Sequence, residues 1–175
     1  MLAVREGNER AFTELYNRYS KKVIYFFYKM LWQDLETARD MHQDLFLKLI
    51  EKSHLYRPEA IFKTWFFSIA NNMCKNEYRK DRPGRITKPL HTHDQVRAPI
   101  LTPDESENRS ILLQKCIEEL EADHRECIVL RYFENFTIEE IGDILGCPEG
   151  TVKSRLFFAR KKLAELMTGK PVLKD

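Results

Sequence analysis

The sequence predicts an all-α fold: two small helical domains joined by a flexible linker. Three observations carry that prediction. Apolar residues recur at three- and four-residue steps over about residues 8–80 and again over 106–167. Nowhere does the chain alternate apolar and polar residues as a half-buried strand does. Between the blocks, "DRPGRITKPLHTHDQVRAPILTPDE" holds four prolines and a glycine with little periodicity, a composition that buries too little apolar area to offset its ordering entropy. The expected division is a first domain over residues 1–80, a linker over 81–105, a second domain over 106–168 and a fraying tail over 169–175.

The first block reads as three helices. Asn8 is a plausible N-cap after Gly7, and Ala11, Phe12, Leu15, Tyr16 and Tyr19 form the apolar stripe of the helix it opens. A second helix is expected around Asp34–Ser53, striped by Met41, Leu45 and Leu49 with Phe46 on its edge. The segment "HLYRPEAI" carries a proline and should be a loop. The third helix runs from about Phe62 to Arg79 and changes character along its length. Its start is aromatic (Phe62, Trp65, Phe66, Phe67); its end is polar and basic (Asn71, Asn72, Lys75, Asn76, Arg79, Lys80, Arg82, Arg85). Rings beside cations suit unpaired nucleic acid, because bases stack on rings while cations follow the backbone. Helical spacing of aromatics equally suits a packed core, and Trp65 fits either role.

The second block contains a helix-turn-helix. "TIEEIGDILG" has the spacing of a capping box, Thr137 with Glu140, then the stripe Ile138, Ile141 and Leu145, and Gly146 for a left-handed helix end. Gly142 lies where a small side chain lets a second helix approach. "CPEG" then places Pro148 in the first turn of another helix, where its missing N–H costs nothing. On that helix Val152, Leu156, Ala159 and Leu163 share one face, and Ser154, Phe157, Phe158 and Lys161 point roughly the other way. Lys153, Arg155, Arg160 and Lys162 flank the buried stripe. Helix, short turn, helix is the arrangement that places its second helix in the DNA major groove. Thr137, Thr151 and two helix N-termini could anchor phosphates, and Lys153, Arg155, Arg160 and Lys161 add charge. A ring at Phe157 could lie on thymine methyls; packing of Phe157 or Phe158 against a neighbouring helix is the competing reading.

Composition excludes more than it selects. A formal net charge of +2 in 175 residues leaves any nucleic-acid case to local distribution. No apolar run is long enough to span a membrane and no signal-peptide pattern opens the chain, so a cytoplasmic protein with no membrane insertion of its own is expected. Cys74, Cys116, Cys127 and Cys147 are scattered and read as free thiols. His42, His54 and His124 are isolated, and His91 and His93 fall in the linker. With no nucleophile–base pairing and no glycine-rich phosphate loop, neither an enzyme nor a cofactor or metal site is expected.

Four stretches, "AFTELYNRY", "ARDMHQDLFLKLIEK", "FKTWFFSIANNMCKNEYRK" and "VLRYFENFTIEEIGDILGCPEGTVKSRLFFARKKL", resemble in that order an extracytoplasmic-function (ECF) sigma factor of bacterial RNA polymerase. The helix-turn-helix alone is shared with other regulators; the tandem with the upstream helices is specific. The resemblance implies a chain that binds core polymerase and directs initiation at promoters with −10 and −35 elements. The first domain would be sigma region 2, with Asp40, Gln43, Asp44, Phe46, Leu47 and Lys48 on the β′ clamp helices. The loop His54–Phe62 and helix Lys63–Lys80 would read and melt the −10 element through Tyr56, Lys63, Trp65, Asn71, Asn72, Lys75, Asn76, Arg79 and Lys80. The second domain would be region 4, near the β flap, reading the −35 element through Thr137, Glu149, Gly150, Thr151, Lys153, Ser154, Arg155, Phe157, Arg160 and Lys161. An anti-sigma factor is the implied regulator. Family members usually carry a basic residue where Phe158 stands, a departure at a DNA-facing position. A sigma-like decoy and a stand-alone DNA-binding regulator are the competing readings. Acidic residues in place of Lys153, Arg155 and Arg160 would favour the first, and loss of the region-2 surface the second.

Overall fold

The computed structural model describes residues 1–31, 34–80 and 105–168. Apart from Glu105, the predicted linker lies outside the described residues, as does the predicted tail. The described residues are helical and contain no strand. In chain order the helices are α1 (Leu2–Arg5), α2 (Glu9–Met30), α3 (Leu35–Glu51), α4 (Phe62–Lys80), α5 (Glu105–Glu118), α6 (Ala122–Ile128), α7 (Ile138–Leu145) and α8 (Glu149–Thr168). A short 3₁₀ turn at Ser53–Leu55 follows α3, and a π-helical turn at Val129–Phe133 continues α6.

The helices start where their caps stand. The Ala11 N–H donates to Asn8 Oδ1 (3.0 Å) at the head of α2, and the Thr37 N–H donates to Asp34 Oδ1 (3.0 Å) at the head of α3. Each such cap satisfies a donor the helix itself leaves open and contributes roughly 1 kcal/mol. At α7 the expected capping box is complete. Glu140 N–H donates to Thr137 Oγ1 (3.1 Å), and Thr137 N–H donates to Glu140 Oε2 (2.7 Å). Gly146 closes α7 in the left-handed region at φ 69°. Pro148 stands one residue ahead of α8 and supplies the first acceptor, taking the Val152 N–H at 3.2 Å.

Two helical blocks are present as predicted, but they share one core. Val23, Phe26, Phe27 and Met30 of α2, Leu45 and Leu49 of α3 and Phe66, Phe67 and Ala70 of α4 are buried continuously with Val129, Leu130, Phe136, Ile141 and Val152 of the second block. The joint is made by Phe136, fully buried with its ring edge-on to Phe67 at 5.2 Å. Asn135, at φ 57°, turns the chain so that Phe136 points inward, a conformation asparagine tolerates better than most residues. Full burial of one such ring contributes ~1.5–3 kcal/mol.

Polar contacts reinforce the same seam. The Met30 carbonyl at the end of α2 accepts from the Tyr78 hydroxyl of α4 (2.6 Å) and from the Arg125 guanidinium of α6 (3.1 Å). Buried Arg125 also donates to the carbonyls of Ile117, Glu118 and Leu120 around the end of α5. Lys29 reaches across from α2 to Gln114 Oε1 of α5 (2.7 Å), its ammonium lying 5.0 Å from the ring centres of Tyr25 and Phe133.

Gly142 shows how tightly the helix-turn-helix is wound. A Cβ there would sit 2.9 Å from the Cys147 carbonyl oxygen, whereas one at Gly150 would meet nothing within 4 Å. Gly150→Ala should therefore stabilise the protein by about 0.5–1 kcal/mol, the usual gain in helix propensity. At Gly142 overpacking of ~1–3 kcal/mol opposes that gain, so Gly142→Ala should lose up to ~2 kcal/mol. Denaturant unfolding of the two variants side by side checks the opposite signs.

Candidate functional site

Three surfaces carry the residues singled out from sequence. On α3, Asp40, Gln43, Asp44 and Leu47 are exposed and Lys48 is half-buried. Phe46 is not on that surface: it is 4% exposed, whereas Leu47 is 60% exposed. The resemblance places Phe46 beside Leu47 on the polymerase-facing surface, and packing on two sides of α3 corrects that for Phe46. Phe46 meets Phe12 (6.0 Å) and Tyr16 (4.8 Å) of α2 and Phe66 (5.6 Å) of α4, so it belongs to the core. Ile50 and Leu55 are exposed near Leu47 in sequence, which makes this end of α3 more apolar than its charged residues suggest.

The second surface is α4 with the loop before it. Tyr56 is half-buried, its hydroxyl donating to the Ala60 carbonyl (2.9 Å) and its ring 5.2 Å from Trp65. Trp65 thus sits partly in an aromatic cluster with Tyr56 and Phe62 and keeps part of its surface open. Asn72, Asn76 and Arg79 are exposed, and the Lys80 side chain lies outside the description. Lys63, Asn71 and Lys75 are placed otherwise than the sequence suggests. Lys63 donates to the Glu134 carbonyl (2.5 Å) and its ammonium lies 3.9 Å from the centre of the Phe136 ring. Asn71 is fully buried beside Glu126 of α6, with neither amide atom in a close, well-aligned hydrogen bond. Lys75 stands 4.0 Å from Glu126 Oε2 of α6.

Glu126 is a charged group set deep in the described interior. It is 1% exposed, and its Oε2 has no hydrogen-bond partner. Burial pushes its carboxyl up to about 7; Lys75, Arg155 and the neighbouring Asn71 amide pull it down, while Asp123 pushes it further up. Burial likewise pushes the Cys74 thiol of α4 well up, with Glu126 adding to the shift. Nothing in the sequence marks Arg125 or Glu126, a charged pair in "EADHREC" that reads as solvated until the packing of α6 on α2 and α4 is known.

The third surface is α8. Val152, Leu156, Ala159 and Leu163 are buried, the stripe the periodicity predicts. Lys153, Ser154 and Arg160 are exposed, as are Glu149 and Gly150 at the helix start and Thr137 at the head of α7; Thr151 and Lys161 are half-buried. Phe157 and Phe158 are 57% and 53% exposed, edge-on to each other at 5.4 Å. Phe158 also stacks on His124 of α6 at 6.5 Å. Lys153 is paired with Glu149 one turn earlier (3.0 Å), and Arg155 is held by Asp123 of α6. α8 therefore offers solvent an amphipathic edge of cations around two rings, at the N-terminal part of a helix-turn-helix second helix.

Among the described residues no group of three or more His, Cys, Asp or Glu is placed to hold a metal, and no helix is long and apolar enough to cross a membrane. Comparison with known proteins extends the reading along the chain. Residues 15–83 match the family Sigma-70 region 2, and residues 110–163 match Sigma-70, region 4. The ECF RNA polymerase sigma-E factor of Escherichia coli strain K12 is 30% identical, with 91% of this chain and 88% of that protein covered. The ECF RNA polymerase sigma factor SigW of Bacillus subtilis is 29% identical over 91% of this chain and 90% of its own length. Among solved structures, the sigma factor RpoE in complex with the anti-sigma factor NepR from Bartonella quintana superposes with a TM-score of 0.74 at 27% identity, covering 91% of this chain and 98% of that one. A region-2 match ending at α4 and its following residues, a region-4 match spanning the helix-turn-helix, and full-length likeness to both relatives place this chain in the family of extracytoplasmic-function sigma factors of RNA polymerase.

Proposed function

We propose that this chain binds bacterial core RNA polymerase through α3, reads the promoter −35 element with α8 and reads the −10 element with α4 and the loop before it. Residues 1–80 would act as region 2 and residues 106–168 as region 4, joined by the 81–105 segment. The observation that carries the reading is the exposed edge of α8, where Lys153, Ser154 and Arg160 surround the outward-facing Phe157 and Phe158 on a buried helix-turn-helix scaffold. The cations would hold phosphates, and the two rings would supply apolar contact to thymine methyls at the groove floor. Phe158 stacked on His124 would take the place of the basic contact usual at that position.

On α3, Leu47 would be the apolar anchor among Asp40, Gln43 and Asp44, the arrangement of a small protein-binding hot spot. Phe46 supports that face from beneath. Such a protein acts in the cytoplasm with its polymerase and contributes recognition, with no bond-making chemistry of its own. The structural relative was solved with an anti-sigma factor, and an anti-sigma partner covering these faces is the natural regulator here too.

The direct experiment is run-off transcription on a genomic promoter library, with core polymerase in the presence and absence of this protein. Transcripts that need the protein and share two upstream elements at fixed spacing are the expected result. Binding to core polymerase or duplex DNA with no initiation would instead favour a decoy or a stand-alone regulator. Three further outcomes are expected. Lys153→Ala and Arg160→Ala should each weaken duplex binding and flatten the slope of log affinity against log salt by about 1, measured by fluorescence anisotropy from low to moderate salt. Leu47→Asp should lower core-polymerase affinity by about 10-fold or more with little change in thermal stability. Phe46→Ala should do the converse, costing ~3–5 kcal/mol of folding stability.

A further inference from the structure

Three of the side chains assigned to the −10 element already face the second block, and two of them, Lys63 and Lys75, meet its groups directly. Lys63 holds the Glu134 carbonyl and the Phe136 ring, Lys75 faces the Glu126 carboxyl, and Asn71 is buried in the same seam. The chemistry is that of a nucleic-acid ligand in miniature. A carbonyl and a carboxyl take the places of phosphate oxygens, and a ring takes the place of a base. We propose that this closure is an autoinhibitory contact: α6 and the turn through Phe136 occupy the −10-reading face of α4, Glu126 is the weak member of the latch, and the chain must open there before promoter DNA can enter. The proposal rests on the assignment of α4 to the −10 element.

Two sets of contacts decide how firmly the latch holds. Phe136 against Phe67, Arg125 on the Met30 carbonyl and Lys29 on Gln114 favour closure. Glu126 opposes it, because a deeply buried carboxylate whose Oε2 lacks a close hydrogen bond has only Lys75 at 4.0 Å and the neighbouring Asn71 amide in place of water. The groups facing Glu126 are Lys75, Asn71, Cys74 and Tyr78 from α4, Arg155 from α8 and Asp123 from its own helix.

The sign of the pH effect follows. In the closed chain the Glu126 carboxyl sits at about 7, against its ordinary 4.5 when solvated. Closing therefore takes up a proton. The closed form is favoured most below the solvated value and loses that advantage as pH rises through about 7. The closing equilibrium should fall about 10-fold between pH 6 and pH 8.

The test uses the full chain, as wild type, Glu126→Gln and Gln114→Ala, by small-angle X-ray scattering at pH 6 and pH 8. Affinity for a labelled random-sequence single-stranded 20-mer is measured alongside. Wild type should expand and gain oligonucleotide affinity at pH 8. Glu126→Gln should stay compact at both pH values, and Gln114→Ala, which removes only the partner of Lys29, should shift toward the expanded form at both. Equal wild-type dimensions at the two pH values, or a Glu126→Gln chain that opens as wild type does, overturns the latch. Opening with no gain over a measurable closed-state affinity overturns the occlusion. Failure of every opened form to bind the oligonucleotide overturns the underlying assignment of α4.

Discussion

The carbonyl of Met30 is where the structure is tied. It ends α2, and the last carbonyls of a helix have no partner within the helix. The phenol of α4 and the guanidinium of α6 both reach it, so one acceptor joins three helices from both halves of the chain. Both donors are themselves deeply set. Burial pushes the Tyr78 hydroxyl far above its ordinary value and lowers Arg125, yet Arg125 remains satisfied because the end of α5 offers it further carbonyls. A buried cation is tolerable only when so surrounded, and removing it would take a donor from four carbonyls, of which Met30 would keep the Tyr78 hydroxyl and Ile117 the Leu120 N–H. The register of α4 against α6, and with it the position of every group along their shared seam, depends on this arrangement.

The two reading helices consequently differ in kind. α8 is set largely by local signals: a complete capping box and a left-handed glycine on α7 and a glycine-to-backbone contact at the turn fix its register, while Ile141 and Val152 pack into the core shared with the first block. Its ordering has been completed before any ligand arrives, which leaves little entropy to lose on docking. α4 is held on one side by α2 and α3 and on the other by the second block. Half of its polar edge is open, through Asn72, Asn76 and Arg79, and half is closed over.

What was legible in the sequence follows the range of the interactions. The capping box, Gly146 and the buried stripe of α8 are set within a few residues, and periodicity found them. Fold class was legible for the same reason. Phe46 and Leu47 show where that reasoning stops: adjacent apolar residues on one helix differ in fate because α2 lies on one side of α3 and water on the other, and helical spacing alone cannot supply the second neighbour. Arg125 and Glu126 were illegible altogether. They sit side by side in a charged run, and their burial is imposed by the docking of α6 onto helices about fifty to a hundred residues away in sequence. The same distance hid the shared core, which the proline-rich composition of the connecting segment argued against. Lys63 and Asn71 were recognised as polar residues with work to do, but the partner that meets them in this conformation comes from the other half of the chain.

Cys74 turns the seam into a clock. Its sulfur is fully buried on α4, with burial and the neighbouring carboxyl both keeping it as an unreactive thiol. A thiol of that kind is alkylated or oxidised only during the moments when its cover lifts, so its modification rate counts those moments. The closed chain also keeps its sulfur out of reach of oxidants, so redox damage would fall first on molecules that have already let go.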